Sequence, residues 1–205
     1  MTESYCWEVA DGHGLPYDPF KAIVAPRPIG WISTVDRQGR VNLAPYSFFN
    51  AVGDEPPIVA FSSGGWKDTV ANIEATGEFV CNLATRALAE AMNQSSAAQP
   101  HGVDEMALAG LAAAPSRLVR PPRVAAAPAA LECRLLQIIR LHALDGAPTG
   151  DWLTLGQVVA VHIDPSYLKD GRFDTAAARP IARCGYQGDY AEVTSLFEMR
   201  RPTAL

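Results

Sequence analysis

Short apolar runs, broken at close intervals by proline and glycine, dominate residues 22–84 of the chain. Runs that are rich in β-branched and aromatic residues and bounded by turn residues are typical of β-strands. We predict strands at AIVAP (22–26), IGWISTVD (29–36), VNLAPYSFFN (41–50), IVAFSS (58–63) and EFVCNLA (78–84). With no alternation of strands and helices, a doubly wound dinucleotide-binding fold is not expected.

Turn residues indicate how these strands are connected. Gly39 lies in DRQGR (36–40), which is typical of a hairpin turn. Three prolines predict that strands end, bulge or lie at a sheet edge, because proline cannot donate to the ladder: Pro45, Pro56 and Pro57. A short helix is expected from a cap at Asp68 or Thr69 to about residue 75, with Gly77 at its left-handed stop.

The second half contains the two longest strand candidates, at 129–144 and 151–164, which are joined by the turn-rich DGAPTG. Residues 86–94 have helical spacing, whereas 95–128 are punctuated by proline and lack an apolar core of their own. We interpret 95–128 as an insertion or lid over a barrel. Six or seven short-spaced strands with few helices predict an antiparallel barrel or sandwich in a single domain, 1–205.

Composition excludes several classes of protein. The net charge of −5 argues against sequence-independent binding of nucleic acid. The four cysteines form no CxxC pair, so no metal site is expected, and Cys81 and Cys133 are interpreted as buried thiols. No signal-peptide pattern and no apolar stretch of membrane-spanning length is present, so we expect a cytoplasmic protein without membrane contact.

The segment SSGGWKDTVANI (62–73) joins a strand to a helix. A triphosphate-binding loop needs G-x-x-x-x-G-K-[ST], but Trp66 precedes Lys67 here and Asp68 separates Lys67 from Thr69. One ammonium group, several hydroxyls and a helix start suit a single phosphate monoester better. The alternative is an ordinary turn followed by a helix cap.

Two further segments contain features of a ligand site. APRPIGWIST (25–34) contains a cation, Arg27, and two hydroxyls, while NLAPYSFFN (42–50) interrupts a strand with a proline and continues with aromatic residues. A proline within a strand frees backbone groups that can bind the edge of a planar heterocycle, and aromatic side chains can cover such a ring. The alternatives are a surface ion pair for Arg27 and a simple core role for the aromatic residues.

Taken in order, residues 25–84 resemble the flavin reductase-like family of FMN-binding split-barrel proteins, which includes reductases of two-component monooxygenases and flavoredoxin-like proteins. Segments 131–139, 155–164 and 179–193 are similar to the family as well, so the resemblance covers about 17–193. It implies a mainly β fold: an antiparallel six-stranded Greek-key split β-barrel with a few flanking helices. It also implies a homodimer that holds FMN non-covalently near the subunit interface.

The resemblance also implies site residues. Ser62, Ser63, Lys67 and Thr69 would bind the FMN phosphate, with Asp68 as a cap or as an orienting partner of Lys67. The remaining cofactor-binding residues would lie along the ribityl chain and the ring: Arg27, Ser33, Thr34, Ala44, Pro45, Tyr46, Ser47, Phe48 and Asn50. On the substrate or nicotinamide side, the candidates are His162, Arg183, Tyr186 and Tyr190. His162 can also be an ordinary hydrogen-bonded strand residue.

The activity that the resemblance implies is hydride transfer from NADH or NADPH to FMN, with electrons passed on to flavin, a monooxygenase partner or another acceptor. No catalytic side chain is required, since the flavin performs the redox step. An FMN-binding carrier without turnover is the alternative, and a relative of the pyridoxine-phosphate oxidases is a third reading. Cys184, Gly185 and Tyr186 stand where the family often has a small apolar residue and Gly-Gly, which leaves the acceptor preference open.

Overall fold

The computed structural model describes residues 4–202. Fourteen strands lie within them: β1 (Arg27–Pro28), β2 (Gly30–Val35), β3 (Val41–Tyr46), β4 (Phe49–Gly53), β5 (Ile58–Gly64), β6 (Glu78–Leu83), β7 (Ala113–Ala114), β8 (Arg123–Val124), β9 (Ala129–His142), β10 (Pro148–Ile163), β11 (Leu168–Lys169), β12 (Arg172–Phe173), β13 (Ile181–Arg183) and β14 (Tyr190–Glu192). The α-helices are α1 (Phe20–Ile23), α2 (Asp68–Thr76), α3 (Ala89–Gln94), α4 (Glu105–Leu108) and α5 (Thr175–Ala178). Short 3₁₀ turns lie at Val9–Asp11, Arg86–Leu88 and Pro165–Tyr167.

Seven strands form one antiparallel sheet in the order β3-β2-β6-β9-β10-β5-β4. The two edge strands, β3 and β4, are consecutive in sequence, and only Ser47 and Phe48 join them. In a flat sheet of this size the edges would lie about 29 Å apart, whereas three peptide units span at most about 11 Å. The sheet must therefore curl until its edges meet at this two-residue link, which we call the seam. The backbone N–H of Ser62 donates to the carbonyl of Phe48 at 2.8 Å and so ties the seam to β5.

The barrel interior is filled by apolar side chains that alternate along the strands. Ile32, Phe61, Phe79 and Cys133 are fully buried there. The ring of Phe79 occupies the space above Gly156, where an added Cβ would lie 2.3 Å from the ring. This close approach explains why β10 carries a glycine at its centre.

The outer face of β2 and β3 is covered as well. Trp31 and Leu43 pack there against Met92 of α3, Met106 of α4 and Val124 of β8. Segment 95–128 therefore contributes core side chains to the outside of the barrel. Since β2 is covered on both faces, all six of its residues are buried.

A small sheet in the order β1-β13-β14 lies beside the barrel. It pairs the strand that enters β2 with the C-terminal part of the chain, with Arg27 opposite Arg183 and Arg183 opposite Tyr190. The tail thereby returns to the start of the barrel.

The predicted class, a mainly β antiparallel barrel with a few helices, is confirmed, and the main sheet has seven strands, within the six or seven predicted from the residues and one more than the resemblance implied. The extra strand arises because the run at 41–50 divides at the seam into β3 and β4. The strand predicted at 22–26 is wrong, since residues 20–23 form α1. Arg27 accounts for this difference, because its guanidinium donates to the carbonyls of Lys21 and Val24 at the end of that helix.

Other local predictions are confirmed. Gly39 (φ 84°) and Gly77 (φ 73°) both adopt the left-handed conformation at the predicted hairpin turn and helix stop. Pro45 lies in an edge strand. None of the helices within residues 4–202 is long and apolar enough to cross a membrane.

Candidate functional site

Two adjoining cavities lie along edge strand β3. The larger has a volume of about 690 Å³ and the smaller about 360 Å³, and Pro45 and Ser96 line both. The smaller cavity touches Ala44 and Tyr46 of β3, and the larger touches Ser47 of the seam. Together they form a continuous groove, which we call the β3 groove.

The backbone of β3 faces this groove because β3 is an edge strand. Leu43 and Pro45 are two residues apart, so their backbone polar groups point to the same side, away from β2. Pro45 has no N–H to leave unpaired there, and the N–H of Leu43 donates to the Glu105 carboxylate at 3.0 Å. The Glu105 side chain thus substitutes for part of a missing neighbouring strand.

The N-terminus of α2 forms one end of the smaller cavity. Lys67 occupies the N-cap position, and no side chain among residues 4–202 caps the helix there. The first backbone N–H groups of a helix have no partner within it and carry partial positive charge. The predicted cap at Asp68 or Thr69 is wrong: Asp68 pairs with His101 at 2.9 Å, and the Thr69 hydroxyl accepts from the Asn42 amide at 2.9 Å.

His101 connects three parts of the chain at this end of the groove. Its Nδ1 faces Asp68, and its Nε2 lies 3.1 Å from Nη2 of Arg40, which also pairs with Asp36. Loop 95–101, which supplies one wall of the smaller cavity, is thereby held against the hairpin after β2 and the start of α2.

Two titratable groups at the smaller cavity have shifted pKa values. Burial raises the pKa of Glu105, and the hydrogen bond from Leu43 offsets part of this effect. Burial also raises the pKa of Tyr46, partly offset by the neighbouring hydroxyls of Thr69 and Ser63. Tyr46 is therefore a neutral hydrogen-bonding group at physiological pH, and Glu105 binds a proton more readily than an exposed glutamate does.

The larger cavity combines apolar walls with arginines. Ile29, Met92 and Ile181 supply apolar surface, and Arg86 and Arg183 supply positive charge. The Arg183 guanidinium lies 4.7 Å from the centre of the Tyr190 ring, within the range of a cation–π contact.

The structure brings eight of the predicted site residues to the groove: Ala44, Pro45, Tyr46, Ser47, Lys67, Thr69, Arg183 and Tyr190. Nine others line neither cavity: Arg27, Ser33, Thr34, Phe48, Asn50, Ser62, Ser63, His162 and Tyr186.

Ser33 and Thr34 lie on β2, which is covered on both faces. The Ser33 hydroxyl donates to the carbonyl of Pro122 at 2.6 Å, and the Thr34 hydroxyl accepts from the amides of Asn42 and Asn72. Both side chains are fully buried. We therefore withdraw them as ligands of a cofactor, because their hydrogen bonds are made within the protein.

Five more predicted residues have other surroundings. Arg27 is buried against α1, and its guanidinium lies 5.9 Å from the Phe48 ring. Asn50 is exposed and accepts from the N–H of Ala51. The side chain of Ser63 is buried and donates to the carbonyl of Gly65, while Ser62 is part of β5.

The two remaining residues also lie outside the groove. Tyr186 is half exposed and lies against Tyr17, with 5.7 Å between the ring centres. His162 pairs with Glu132 on the outer face of β9 and β10. Glu132 is fully buried and also accepts from the N–H groups of Arg117 and Leu118 at 2.6 Å each. His162 is thus a hydrogen-bonded strand residue, which was the alternative to a role on the substrate side.

Sequence reasoning missed several residues of the groove: Asn42, Arg86, Ser96, Gln99 and Glu105. It also missed His101, which pairs with Asp68 at one end of the groove. The one available signal was an acid, Glu105, inside the apolar run of VDEMALAGL. Ser96, Gln99 and His101 belong, like Glu105, to segment 95–128, which was predicted only as an insertion or lid, whereas Asn42 lies on β3 and Arg86 in the turn before α3.

The structure thus belongs to the class of antiparallel β-barrel proteins that carry a ligand-sized groove along an edge strand. Within that class, the family model described as the flavin reductase like domain matches residues 24–177. The chain therefore belongs to the flavin reductase-like family.

Individual relatives agree with this assignment. An uncharacterized protein of Deinococcus radiodurans is 40% identical, and the match covers 91% of this chain and 85% of the relative. The structure is similar to nitrilotriacetate monooxygenase component B from Bacillus cereus, with 29% identity, a TM-score of 0.85 and coverage of 97% and 100% of the two chains. It is also similar to 2-nitrobenzoate 2-nitroreductase from Pseudomonas fluorescens, with 29% identity, a TM-score of 0.79 and coverage of 91% and 90%.

Proposed function

We propose that this protein is an FMN-binding oxidoreductase of the flavin reductase type, which takes electrons from NADH or NADPH and passes them to flavin or another acceptor. One observation carries the proposal: a single groove runs from a lysine and an uncapped helix N-terminus, along the exposed edge of β3, to a roomy cavity with apolar walls. FMN has the same order of parts, with a phosphate monoester, a polar ribityl chain and a planar ring.

The smaller cavity fits the phosphate end. Lys67 supplies one ammonium, and the first N–H groups of α2 supply donors with partial positive charge, an arrangement that suits one phosphate group. Asp68 also lines this cavity, but its carboxylate is paired with His101, which limits its repulsion of an anion.

The middle and far parts of the groove fit the remainder of the cofactor. The carbonyl groups of Leu43 and Pro45 face away from β2 and are available to the hydroxyls of a ribityl chain or to ring N–H groups. Around the seam, Pro45, Ile29 and Met92 offer surface for one face of a planar ring. A volume of about 690 Å³ leaves space beside that ring for a second ligand.

The flavin, when bound, supplies the hydride-accepting and electron-donating chemistry. The chain holds and orients it: Lys67 fixes the phosphate, β3 fixes the long axis, and the apolar walls of the larger cavity limit access of water to the ring. The similarity to a protein described as monooxygenase component B supports a monooxygenase partner as one acceptor.

The proposal includes a homodimer. Several large apolar side chains near the seam and the N-terminal segment are exposed, among them Ile23 (72%), Val52 (57%) and Phe20 (57%). A second copy of the chain that covers this surface would account for them. Sedimentation equilibrium tests this part, and a monomer at micromolar concentration would contradict it.

The absorption spectrum of the purified protein, followed by anaerobic titration with NADH and NADPH, tests the main proposal. We expect a yellow protein that releases FMN on denaturation and bleaches with a reduced dinucleotide. A chain that binds no flavin would rule the proposal out. The alternative, an FMN-binding carrier, predicts very slow reduction by both dinucleotides in stopped-flow measurements.

A further inference from the structure

Two arginines and a tyrosine form a row across the small sheet. Arg27 of β1 is opposite Arg183 of β13, and Arg183 is opposite Tyr190 of β14. Residues directly opposite each other in antiparallel strands project from the same face of a sheet. The three side chains therefore start from one face of the small sheet; Arg183 and Tyr190 line the larger cavity, whereas the Arg27 guanidinium lies against α1 and the Phe48 ring.

This row has positive charge without a balancing carboxylate. Within residues 4–202, neither Arg27 nor Arg183 forms a salt bridge. Arg27 is 6% exposed, and its Nε is buried without a hydrogen-bond partner. Like charges directly opposite each other on a sheet are destabilising, so an anion bound to Arg183 would reduce that repulsion.

The larger cavity is where such an anion can reach Arg183. Arg183 lines it, Arg86 lines it from the turn before α3, and Glu90 is the one acid in its lining among the described residues. The Tyr190 ring lies 4.7 Å from the Arg183 guanidinium and restrains it. A restrained guanidinium presents its N–H groups as a planar fork that matches a carboxylate.

We propose that the larger cavity contains a subsite for the carboxylate of a small aromatic substrate, with Arg183 as its principal ligand. Ile29, Met92 and Ile181, each almost fully buried, form an apolar floor of this cavity, and such a floor suits an aromatic body better than a sugar. The subsite deepens the function proposed above and rests on it for the role of the ligand as a substrate. Binding of the carboxylate itself depends only on the chain.

Calorimetric titration of the full chain, with and without FMN, tests this subsite. The probe is benzoate, and benzamide is its neutral counterpart of the same shape. We expect benzoate to bind at least tenfold more tightly than benzamide, Arg183→Gln to abolish the difference, and Arg183→Lys to keep only part of it. Equal affinities in the unaltered protein, or a preference that survives Arg183→Gln, would overturn the subsite.

Arg140→Gln is the matched control, because Arg140 also lies over an aromatic ring, that of Trp152, but lines neither cavity. This control should keep the full preference. If Arg183→Gln does not fold, Arg86→Gln in the exposed turn tests the same cavity and should reduce the preference severalfold; an unchanged preference there would count against the subsite.

The phosphate groups of NADH are a second kind of anion that could bind Arg183. A parallel titration with NADH and Arg183→Gln separates the two: loss of NADH binding without any benzoate preference would overturn the carboxylate subsite in favour of a dinucleotide phosphate. A chain that binds no FMN but still prefers benzoate would contradict the proposed function and leave the subsite standing.

Discussion

The Nδ1 atom of His101 lies 2.9 Å from a carboxylate oxygen of Asp68, the first residue of α2. This contact joins loop 95–101 to the helix end beside Lys67, and Arg40 supports it from the other side of the imidazole. His101 of segment 95–128 therefore holds one wall of the smaller cavity in place. It also pairs with Asp68, the carboxylate next to Lys67 in the sequence.

Replacing His101 by alanine should weaken FMN binding about two- to tenfold, the effect of losing one hydrogen-bonded contact. The free Asp68 carboxylate would then repel the phosphate, and the loop would lose its attachment. Fluorescence titration of FMN measures the change. His142→Ala, at an exposed position of β9, is the control and should bind FMN normally; equal affinity in both variants would remove the role assigned to His101.

Reversing the charge of Lys67 gives a stronger test of the phosphate end. Lys67→Glu should weaken FMN binding by more than tenfold, about 1.4 kcal/mol, because the ammonium group is replaced by a carboxylate. The fold should persist, since Lys67 is exposed. Lys169→Glu, on exposed β11, should have no effect on the affinity for FMN.

Glu105 places negative charge in the same cavity, so its removal should have the opposite sign. In Glu105→Gln, the amide oxygen can still accept from the N–H of Leu43, and FMN should bind several times more tightly at neutral pH. Because the pKa of Glu105 is raised, the unaltered side chain takes up its proton earlier than usual as the pH falls. The difference between the two proteins should therefore shrink in mildly acidic solution. Glu74→Gln, on the exposed side of α2, should show no such pH-dependent gain.

Strand positions were predictable because they depend on local chemistry, as β2, β5 and β6 illustrate. The roles of Ser33 and Thr34 were not predictable from the sequence. The alternation of side chains along a strand distinguishes its two faces but does not show whether other parts of the chain cover them. Segment 95–128 covers the outer face and buries the Ser33 hydroxyl, while Asn42 of β3 and Asn72 of α2 enclose the Thr34 hydroxyl on the other face. The contact between His101 and Asp68 was equally out of reach, because it joins residues of two separate segments that only the folded chain brings together.

Glu132 predicts a pH dependence of stability. Burial opposes its ionisation, but the N–H groups of Arg117 and Leu118 and the His162 ring outweigh that effect and lower the pKa. A lowered pKa gives a contribution to stability that is complete above the pKa of the unfolded chain and is lost as the pH falls through the folded value. Urea unfolding from neutral to acidic pH should therefore show a smaller loss in Glu132→Gln than in the unaltered protein.

At neutral pH the same substitution should lower the free energy of unfolding by about 1–3 kcal/mol, the cost of disturbing buried hydrogen bonds to a charged group. Glu198→Gln removes a carboxylate from an exposed pair with Arg200 and serves as the control. Identical pH profiles for Glu132→Gln and the unaltered protein would show that Glu132 does not contribute in this way.

Two glycines of β10 provide a matched pair for the barrel interior. Gly156→Ala would place a methyl group 2.3 Å from the Phe79 ring and should destabilise the protein by about 1–3 kcal/mol, the usual cost of overpacking a core. Gly150→Ala meets no atom within 4 Å and should change stability little. Thermal unfolding of both variants measures the difference, and equal melting temperatures would contradict the packing described for Phe79.

The seam has a consequence for local opening. Its two strands are joined by only two residues, whereas the sheet between them depends on pairings of strands far apart in sequence, such as β5 with β10 and β6 with β9, which form slowly because the entropy of closing a long loop must be overcome. Ser47 belongs to both the seam and the wall of the larger cavity, so a molecule bound there contacts the joint between the first and last strands of the sheet. Such a molecule should stabilise the joint and slow amide hydrogen exchange in β3 and β4 more than in β9. The supply of cofactor would then determine how long the barrel stays closed.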